Sequence, residues 1–367
     1  MRRRDAVLAA LPWLAACSPP PPWPLGLLAG ITGRTADLGA AAYHGARLAV
    51  DDINAAGGVA GRPLALHVAD DVQDADTARQ AVRRLVGEGV VALVGPATSG
   101  MAEAILADVN AASLVTVSPS ATTTLLSGKD DFFLRVCPSI GDFVAVQVRD
   151  DHRRGARRVA VVLDLSNQAY SADWARRYAD VAGRLGMTVV LQATMRAGDD
   201  ASYLQAASAV LAARPDHVLL VCSAVDTARL VQALRNGGLS GVRWSTSSWG
   251  GTESLIQLGG ASVEGVRTPQ YFDRDDRSPA YLAFASRYRE RFSESPGYAS
   301  VSAYDAVQAV AQALARAGAG AAALKRALLE GGPYVGLQES WRFDAYGDSR
   351  RKLRVAEVIH GRFQVVA

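Results

Sequence analysis

The chain alternates short apolar runs with longer segments in which apolar residues return every three or four positions. The short runs are typical of buried strands, and the longer segments have the spacing of amphipathic helices. In the segment 42–56, for example, Ala46, Val50 and Ile53 share one helical face. The pair Gly57-Gly58 follows and ends that helix. The alternation predicts repeated strand–helix units.

The predicted elements form two successive series. The predicted strands are Leu25–Ile31, Leu64–Ala69, Val90–Val94, Leu114–Val117, Val159–Leu163, Thr188–Leu191, His217–Val221, Arg243–Thr246, Trp341–Phe343 and Leu353–Val366, the last with a turn at His360-Gly361. The predicted helices are Ala42–Ala56, one capped by Asp74 or Asp76, Met101–Ala111, Ala172–Leu185, Tyr203–Ala213, Thr227–Arg235, Pro279–Phe292, Val301–Arg316 and Ala321–Leu329. Two such series predict an α/β fold with two doubly wound parallel sheets, each covered by helices on both faces.

The length of the chain also favours two domains. Its 367 residues exceed the roughly 250–300 residues at which a single hydrophobic core stops growing. Doubly wound sheets bind ligands outside the carboxyl ends of their strands. A binding site is therefore expected in the loops that follow Val94, Val117, Leu163, Val221 and Thr246.

The charge balance excludes one class of partner. The chain has 39 Lys and Arg residues against 36 Asp and Glu residues, which gives a formal net charge of +3. Arg2, Arg3 and Arg4 supply part of this small excess, and no basic stripe follows them. Nucleic-acid binding therefore has no electrostatic support.

The first 24 residues have the pattern of an export signal. Three arginines precede the apolar run 6–16, which is too short to span a bilayer permanently. The tetrapeptide Leu14-Ala15-Ala16-Cys17 resembles the bacterial lipobox, in which the cysteine is acylated. We predict a signal peptide over 1–16, a lipid anchor on Cys17 and a stiff proline-rich tether over 17–24. An ordinary signal peptide with an accidental cysteine is the alternative.

Two further cysteines, Cys137 and Cys222, lie in apolar contexts. Buried free thiols are the simpler interpretation. A single disulfide is the alternative in an oxidising compartment, and the spacing of the two residues does not decide between them.

Two neighbouring loops carry hydroxyl groups at predicted strand ends. Ser99 lies after the strand Val90–Val94, at or near the start of the next helix. Ser120 and Thr122 follow the strand Leu114–Val117. Hydroxyl and free backbone N–H groups in these places can hold a carboxylate without a formal cation. Ordinary helix caps and turn residues are the alternative for each loop, but the two loops together favour an anion site.

The sequence carries no motif of an enzyme. Nucleophile elbow, HExxH and P-loop patterns do not occur, and the glycines of 57–61 are not followed by a helix as a dinucleotide fingerprint requires. Asp70-Asp71 has the context of solvated loop acids. The histidines match no metal or triad pattern: His44, His67, His152, His217 and His360. We therefore predict a binding protein that is not an enzyme and has no cofactor or metal.

Eight segments carry a family resemblance. Those of the first half are AYHGARLAVDDINAAGGVAG, ALVGPATSG, VSPSATTTLL and Phe133-Leu134-Arg135. Those of the second half are VVLDLSNQAYSADWARRY, ARLVQALRNGGL, SVEGV and YDAVQAVAQAL. Together they resemble the periplasmic binding proteins of branched-chain amino-acid transporters, from about Leu25 to the C-terminus. The resemblance implies two α/β lobes joined by three hinge crossovers, with one ligand in the cleft between them.

The resemblance also implies roles for individual residues. Ser99 would donate a hydrogen bond to a ligand carboxylate, joined by the Ser120 backbone and the Thr122 hydroxyl. Tyr170 matches an aromatic residue of the second lobe that lines the cleft. Asp305 starts a predicted helix, so we expect it to cap that helix, with a cleft or hinge role as the alternative.

The resemblance fails where the family pairs a glutamate with the ligand ammonium. That loop reads Ser247-Ser248-Trp249-Gly250-Gly251, and an aromatic residue of the family is replaced at Ser223-Ala224-Val225. Either another acid takes over, or the ligand has no ammonium group. The candidate acids are Asp164, Asp226 and Glu253.

The same loop supplies two further candidate ligand residues, Ser248 and Trp249. The Trp249 ring can face a ligand or pack against its own lobe. Two cysteines that form a disulfide in some relatives align with Gln73 and Thr98, so that bridge is absent.

These observations predict a substrate-binding lipoprotein of an ABC importer. It would be a monomer, anchored at the membrane in the periplasm or at the cell surface, that captures a small carboxylate and presents it to permease subunits. The alternative is a lipoprotein of the same fold that acts by protein contact. Lobe 1 is predicted over 25–138 plus 267–337 and lobe 2 over 139–266 plus 338–367, with crossovers near Pro138–Gly141, Glu264–Thr268 and Val335–Ser340.

Overall fold

The structure of the protein is a computed structural model that describes residues 20–33 and 36–366. The predicted signal peptide and Cys17 lie outside these residues. The strands are β1 (Trp23–Ala29), β2 (Leu64–Asp70), β3 (Ala92–Val94), β4 (Thr116–Ser118), β5 (Phe133–Arg135), β6 (Arg158–Asp164), β7 (Thr188–Met195), β8 (His217–Val221), β9 (Arg243–Thr246), β10 (Val266–Gln270), β11 (Tyr334–Val335), β12 (Ser340–Trp341), β13 (Arg354–Ile359) and β14 (Arg362–Val365). The helices are α1 (Asp37–Ala55), α2 (Ala75–Gly87), α3 (Ser99–Ala111), α4 (Ile140–Arg153), α5 (Gln168–Arg184), α6 (Asp200–Ala213), α7 (Ala224–Asn236), α8 (Glu253–Gly259), α9 (Pro279–Phe292), α10 (Tyr298–Ala317) and α11 (Ala321–Glu330).

The first sheet contains five parallel strands in the order β2-β1-β3-β4-β5. Its inner strands β3 and β4 are short and wholly buried, as expected where helices cover both faces of a parallel sheet. Strands β3 and β4 are direct neighbours, with Leu93 opposite Thr116 and Val94 opposite Val117. The loops that follow these two strands therefore leave the same edge of the sheet side by side.

The second sheet contains seven strands in the order β14-β13-β10-β9-β8-β6-β7. Five strands pair in parallel in the order β7, β6, β8, β9 and β10. Strands β13 and β14 extend the sheet beyond β10 with antiparallel pairing. The turn between these two edge strands lies at His360 and Gly361, both with positive φ. The structure thus confirms the predicted α/β fold with two doubly wound, mostly parallel sheets.

Helices α1 and α10 pack closely on the first sheet. A Cβ atom placed on Gly45 of α1 would lie 2.0 Å from the carbonyl oxygen of Ser300 in α10. Glycine is therefore required at this crossing. Within residues 20–33 and 36–366, no helix is both long enough and apolar enough to cross a membrane.

Most predicted strands and helices are present with shifted ends, and five elements were not predicted: β5, β10, β11, α4 and α8. Helix α1 begins at Asp37, five residues earlier than expected, because the alanines around Ala42 carry no periodic signal. Strand β5 is only three residues long. Helix α4 escaped prediction because its buried face includes the polar side chains of Gln147, Asp150 and Asp151.

The structure corrects several predicted boundaries. Strand β1 begins at Trp23, so the tether predicted over 17–24 ends two residues earlier. Strand β10 pairs with β9 and β13, so the predicted boundary at 266/267 and the crossover at Glu264–Thr268 are wrong, because the chain leaves the second sheet only after Gln270. The last crossover is also later than predicted. Strand β12 pairs with β11, and the Arg135 N–H donates to the Gly347 carbonyl at 2.9 Å, so residues 340–347 stay with the first lobe.

Asp305 lies inside α10 and does not cap it, so the capping prediction is wrong. Its Oδ1 accepts a hydrogen bond from the Leu337 N–H at 2.9 Å, and its Oδ2 lies 3.0 Å from Nη2 of Arg351. The Arg351 Nε donates to the Val136 carbonyl at 3.0 Å. Both side chains of the ion pair are buried, with 2% and 4% of their surfaces exposed. Asp305 and Arg351 therefore connect the chain segments that run between the two lobes.

Candidate functional site

The two hydroxyl-bearing loops meet at the carboxyl edge of the first sheet, as their positions after β3 and β4 require. Ser99 is the first residue of α3. Its Oγ accepts hydrogen bonds from the backbone N–H groups of Thr122 and Thr123, both at 3.1 Å. The Ser118 and Ser120 hydroxyls donate to the carbonyls of the β3–α3 loop at 2.7 Å. These bonds hold the two loops in one rigid arrangement.

Two hydroxyl groups in this arrangement retain a free hydrogen. Ser99 Oγ acts only as an acceptor in its bonds within the described part of the chain, so its own hydrogen remains available. Thr122 Oγ1 is buried and has no hydrogen-bond partner among the described residues. A buried hydroxyl without a partner is costly. An acceptor atom in the adjoining cavity would therefore stabilise the Thr122 hydroxyl. Ser120 differs, because its hydroxyl is already bonded to the Ala97 carbonyl.

The second lobe supplies the opposite wall. Tyr170 lies in the first turn of α5, and Ser248 and Trp249 follow β9. The Tyr170 hydroxyl is 3.1 Å from Ser248 Oγ and accepts from the Trp249 N–H at 3.2 Å. The Tyr170 and Trp249 rings meet edge to face, with centroids 5.7 Å apart. Burial raises the pKa of Tyr170 well above its usual range, so this wall is neutral at physiological pH.

All six predicted ligand residues line one cavity between the lobes. They are Ser99, Ser120, Thr122, Tyr170, Ser248 and Trp249. The cavity is narrow, because the centre of a water-sized sphere can occupy only about 20 Å³ of it. Within the described residues, its wall contains no Asp, Glu, Lys, Arg or His side chain. The role of the six residues in binding stays a prediction.

Sequence reasoning missed several residues of the wall. Phe143 of α4, Tyr271 after β10 and Tyr298 of α10 add aromatic surface. Their positions depend on how distant segments pack, and no local pattern identifies them. Asn167 could have been found, because it follows β6 at a strand end where ligands are expected. Its Oδ1 accepts a hydrogen bond from the Gly100 N–H at 2.9 Å.

Direct hydrogen bonds also join the lobes around the cavity. The Thr124 N–H and hydroxyl donate to Asp173 Oδ2 at 2.8 and 2.7 Å. Burial alone would raise the pKa of Asp173, but the hydrogen bonds from Thr124 and the charge of Arg177 outweigh it and lower the pKa. Asp37 accepts from the Thr252 hydroxyl at 2.8 Å. The structure therefore describes a closed arrangement of the lobes.

The three acids considered as substitutes for the missing glutamate do not line the cavity. Asp164 accepts from the N–H and hydroxyl of Ser166, and Asp226 accepts from Ser223 Oγ at 2.9 Å. Glu253 accepts two hydrogen bonds from Arg274, from Nε to Oε1 at 2.5 Å and from Nη2 to Oε2 at 2.8 Å. None of the three belongs to the wall of the cavity. Sequence order alone could not show this, because these residues do follow strand ends.

Glu253 instead lines a second, larger cavity with Asp37 and Glu294. The two cavities share Leu38 and Tyr298, and the second has about 140 Å³ of space for the centre of a water-sized sphere. Burial raises the pKa of Asp37 despite its bond to Thr252. The acidic groups therefore lie beside the hydroxyl-lined cavity and outside it.

A comparison with protein families decides the class of this two-lobed molecule. Residues 22–362 match the family model described as "Periplasmic binding protein". The chain belongs to this family. The matched range includes the first sheet, the second sheet up to the first residue of β14, and every residue of the hydroxyl-lined cavity. The family name implies a location in the periplasm or outside the cell.

Individual relatives agree with this assignment. The chain is 30% identical to the Leu/Ile/Val-binding protein BraC3 of Rhizobium johnstonii over 186 residues, so the match spans about half of each chain (48%). It shares its fold with the leucine-binding protein LivK of Thermotoga maritima, at a TM-score of 0.86, 22% identity and coverage of 94% and 97% of the two chains. A solute-binding protein of an ABC transporter from R. palustris, in complex with benzoate, has the same fold at a TM-score of 0.84, 18% identity and coverage of 94% and 95%.

In this binding protein a hydrogen bond joins Gln73 and Thr98, the two residues that align with the disulfide cysteines of some relatives. The Thr98 hydroxyl donates to Gln73 Oε1 at 3.2 Å. Cys137 and Cys222 are free and buried, in agreement with the simpler prediction. Burial raises the pKa of the Cys137 thiol to about 12 and that of the Cys222 thiol well above its usual range, so both are protonated and unreactive at neutral pH.

Asp71 supports the loop that carries Ser99 and is not the solvated acid predicted from the sequence. It is fully buried, its Oδ1 accepts from the Gln73 N–H at 2.9 Å, and its Oδ2 has no hydrogen-bond partner among the described residues. Burial, aided by the nearby Asp70 carboxylate, raises its pKa from 3.8 to about 6. The folded protein therefore holds the Asp71 proton more tightly than the unfolded chain does.

This pKa predicts a pH-dependent effect of Asp71→Asn. The contribution of Asp71 to stability falls as the pH rises from about 4 to about 6, because the folded state then binds more protons than the unfolded state. Asparagine imitates the protonated form, so the variant should gain about 3 kcal/mol over the parent at pH 7.5 and almost nothing at pH 4. Urea unfolding at both pH values measures this, and an equal change at both would contradict it.

Proposed function

We propose that this protein is the substrate-binding component of an ABC importer and captures a small carboxylate, either an amino acid or a related aliphatic or aromatic acid. The observation that carries the proposal is the pair of hydroxyl hydrogens at Ser99 and Thr122 that point to no acceptor within the described residues. A carboxylate accepts several hydrogen bonds at once and prefers such donors, since charge-assisted bonds are about twice as strong as neutral ones. The benzoate-bound neighbour supports a carboxylate in this fold.

The two lobes explain how capture could be signalled. The donors lie on the first lobe and Tyr170, Ser248 and Trp249 on the second, so only the closed form offers a ligand both walls. A ligand that binds the closed form better shifts the hinge equilibrium towards it. The closed form would then present the ligand to the membrane subunits of the importer.

We also propose that Cys17 carries the anchor that keeps this protein at the membrane. The support comes from the lipobox-like tetrapeptide Leu14-Ala15-Ala16-Cys17 and from the prolines that follow it. Two or three acyl chains on one cysteine anchor a protein stably, whereas a single chain does not. An anchored protein remains close to its permease.

A stability screen with small acids tests the proposed function. The purified protein is heated with amino acids, aliphatic acids and aromatic acids, each beside the amide that lacks its carboxylate charge as the matched control. A true ligand at about 100 times its Kd should add about 2.7 kcal/mol of stability, and its amide should add little. If no acid stabilises the protein, the cleft is inert and a role through protein contact takes the place of transport.

A further inference from the structure

We infer that the ligand of this protein is an apolar monocarboxylate without an ammonium group, which separates it from the amino acids. The inference rests on the proposed function, because it assumes that a carboxylate binds at Ser99 and Thr122. It follows from the complete absence of charged side chains in the wall of the cavity, within the part of the chain that the structure describes. It also follows from what the other polar groups of the wall already bind.

An α-amino acid brings an ammonium group within two bonds of its carboxylate carbon. In this cavity the ammonium would be enclosed with Ser99 and Thr122 on one side and Tyr170, Ser248 and Trp249 on the other. A buried ammonium without a counter-charge is strongly disfavoured. A carboxylate also loses water on burial, but the Ser99 and Thr122 hydroxyls can donate to it, whereas the wall offers an ammonium no carboxylate acceptor.

The neighbouring acids are engaged elsewhere. Asp37 lies next to Leu38 of the wall, but its carboxylate accepts from Thr252 and lines the second cavity. Glu253 is held by two bonds to Arg274. An ammonium held near Ser99 and Thr122 would therefore have to break an existing interlobe bond to find a partner.

The remaining wall suits an apolar body. Five aromatic side chains surround the space: Phe143, Tyr170, Trp249, Tyr271 and Tyr298. The Tyr271 hydroxyl is bonded to Ser302 Oγ at 2.7 Å, and the Tyr170 hydroxyl to Ser248 and Trp249. These two rings therefore present carbon surface to a ligand. An aromatic ring in the ligand could make edge-to-face or stacked contacts with these rings, which are favourable.

Matched pairs of ligands test the inference by calorimetry at pH 7 on the purified protein. The pairs are phenylalanine with 3-phenylpropanoate, and leucine with 4-methylpentanoate, so that each pair differs only in the ammonium group. We expect the acid without nitrogen to bind at least about tenfold more tightly in each pair. Tighter binding of the amino acids would overturn the inference and leave the proposed function standing. No binding by any of the four, together with no stabilisation by any acid of the screen, would overturn the proposed function itself.

A charge placed in the loop after β9 provides the second test. Ser248→Glu puts a carboxylate on the wall that lacks one, and Ser248→Gln is the control of similar size without charge. We expect Ser248→Glu to shift the ratio of affinities by at least about tenfold towards the amino acid, and Ser248→Gln to leave the ratio within about threefold of the parent. An unchanged ratio in a folded Ser248→Glu variant would overturn the inference. If that variant does not fold, the ligand pairs on the parent protein decide the question.

Discussion

A Thr122→Val variant is expected to bind its carboxylate about tenfold more weakly and yet to be at least as stable as the parent. The Thr122 hydroxyl is buried without a partner, so its removal relieves an unsatisfied polar group in the free protein. In the complex the same change removes a hydrogen bond to a charged group, worth about 1.5–3 kcal/mol. Adding Ser99→Ala should weaken binding by at least about a hundredfold in total. Calorimetry gives the affinities and urea unfolding gives the stabilities.

Ser120→Ala is the matched control for this prediction. Its hydroxyl lies in the same cavity wall but donates to the Ala97 carbonyl at 2.7 Å. The variant should lose about 1 kcal/mol of stability and change affinity by less than about threefold. If Thr122→Val keeps full affinity, or if Ser120→Ala loses as much affinity as Thr122→Val, the anion site has been assigned to the wrong hydroxyl.

Replacing Asp305 by alanine is expected to cost about 3–5 kcal/mol of unfolding free energy. The change removes the nearer of the two carboxylates that pair with the buried Arg351, leaving only Glu339 at 3.8 Å, and it removes the acceptor of the Leu337 N–H. Because Arg351 also holds the Val136 carbonyl, the damage falls on the segments between the lobes. Urea unfolding followed by circular dichroism measures the loss.

An exposed ion pair supplies the comparison. Lys325 contacts Asp130 at 2.6 Å, and 83% of the aspartate side chain is exposed. Asp130→Ala, which changes the exposed partner, should cost much less unfolding free energy than Asp305→Ala, as surface pairs do. If both variants lose the same unfolding free energy, burial is not what makes the Asp305–Arg351 pair stabilising.

The sequence predicted the parts of the molecule that depend on local pattern. Ser99 and Thr122 could be placed together because they follow apolar runs that must become neighbouring buried strands. The region of β10 was predicted as a crossover on the resemblance, and Arg267, Thr268 and Pro269 do not form the apolar run that would have predicted a strand there. The strand tolerates Pro269 because its pairing with β9 stops at Arg267, so the missing N–H is not required there.

The aromatic half of the site could not be predicted in this way. Phe143 comes from a helix whose apolar spacing is masked by buried polar residues, and Tyr298 comes from the start of α10, far away in sequence. These side chains meet only when both lobes are assembled. The resemblance to a known family supplied Tyr170. The loop with Ser248 and Trp249 lacks the family's glutamate, and this difference raised the question of whether the ligand has an ammonium group.

The cavity draws its wall almost entirely from loop tips and first turns, while the two sheets beneath contribute none of their strands' interior residues. Exchange of the polar side chains there leaves the strands of both sheets untouched, whereas the aromatic side chains of the wall also belong to the main hydrophobic core. Such an architecture lets the polar half of the wall change between related proteins at little cost in foldability, while a change in its aromatic half also alters the packing of the core.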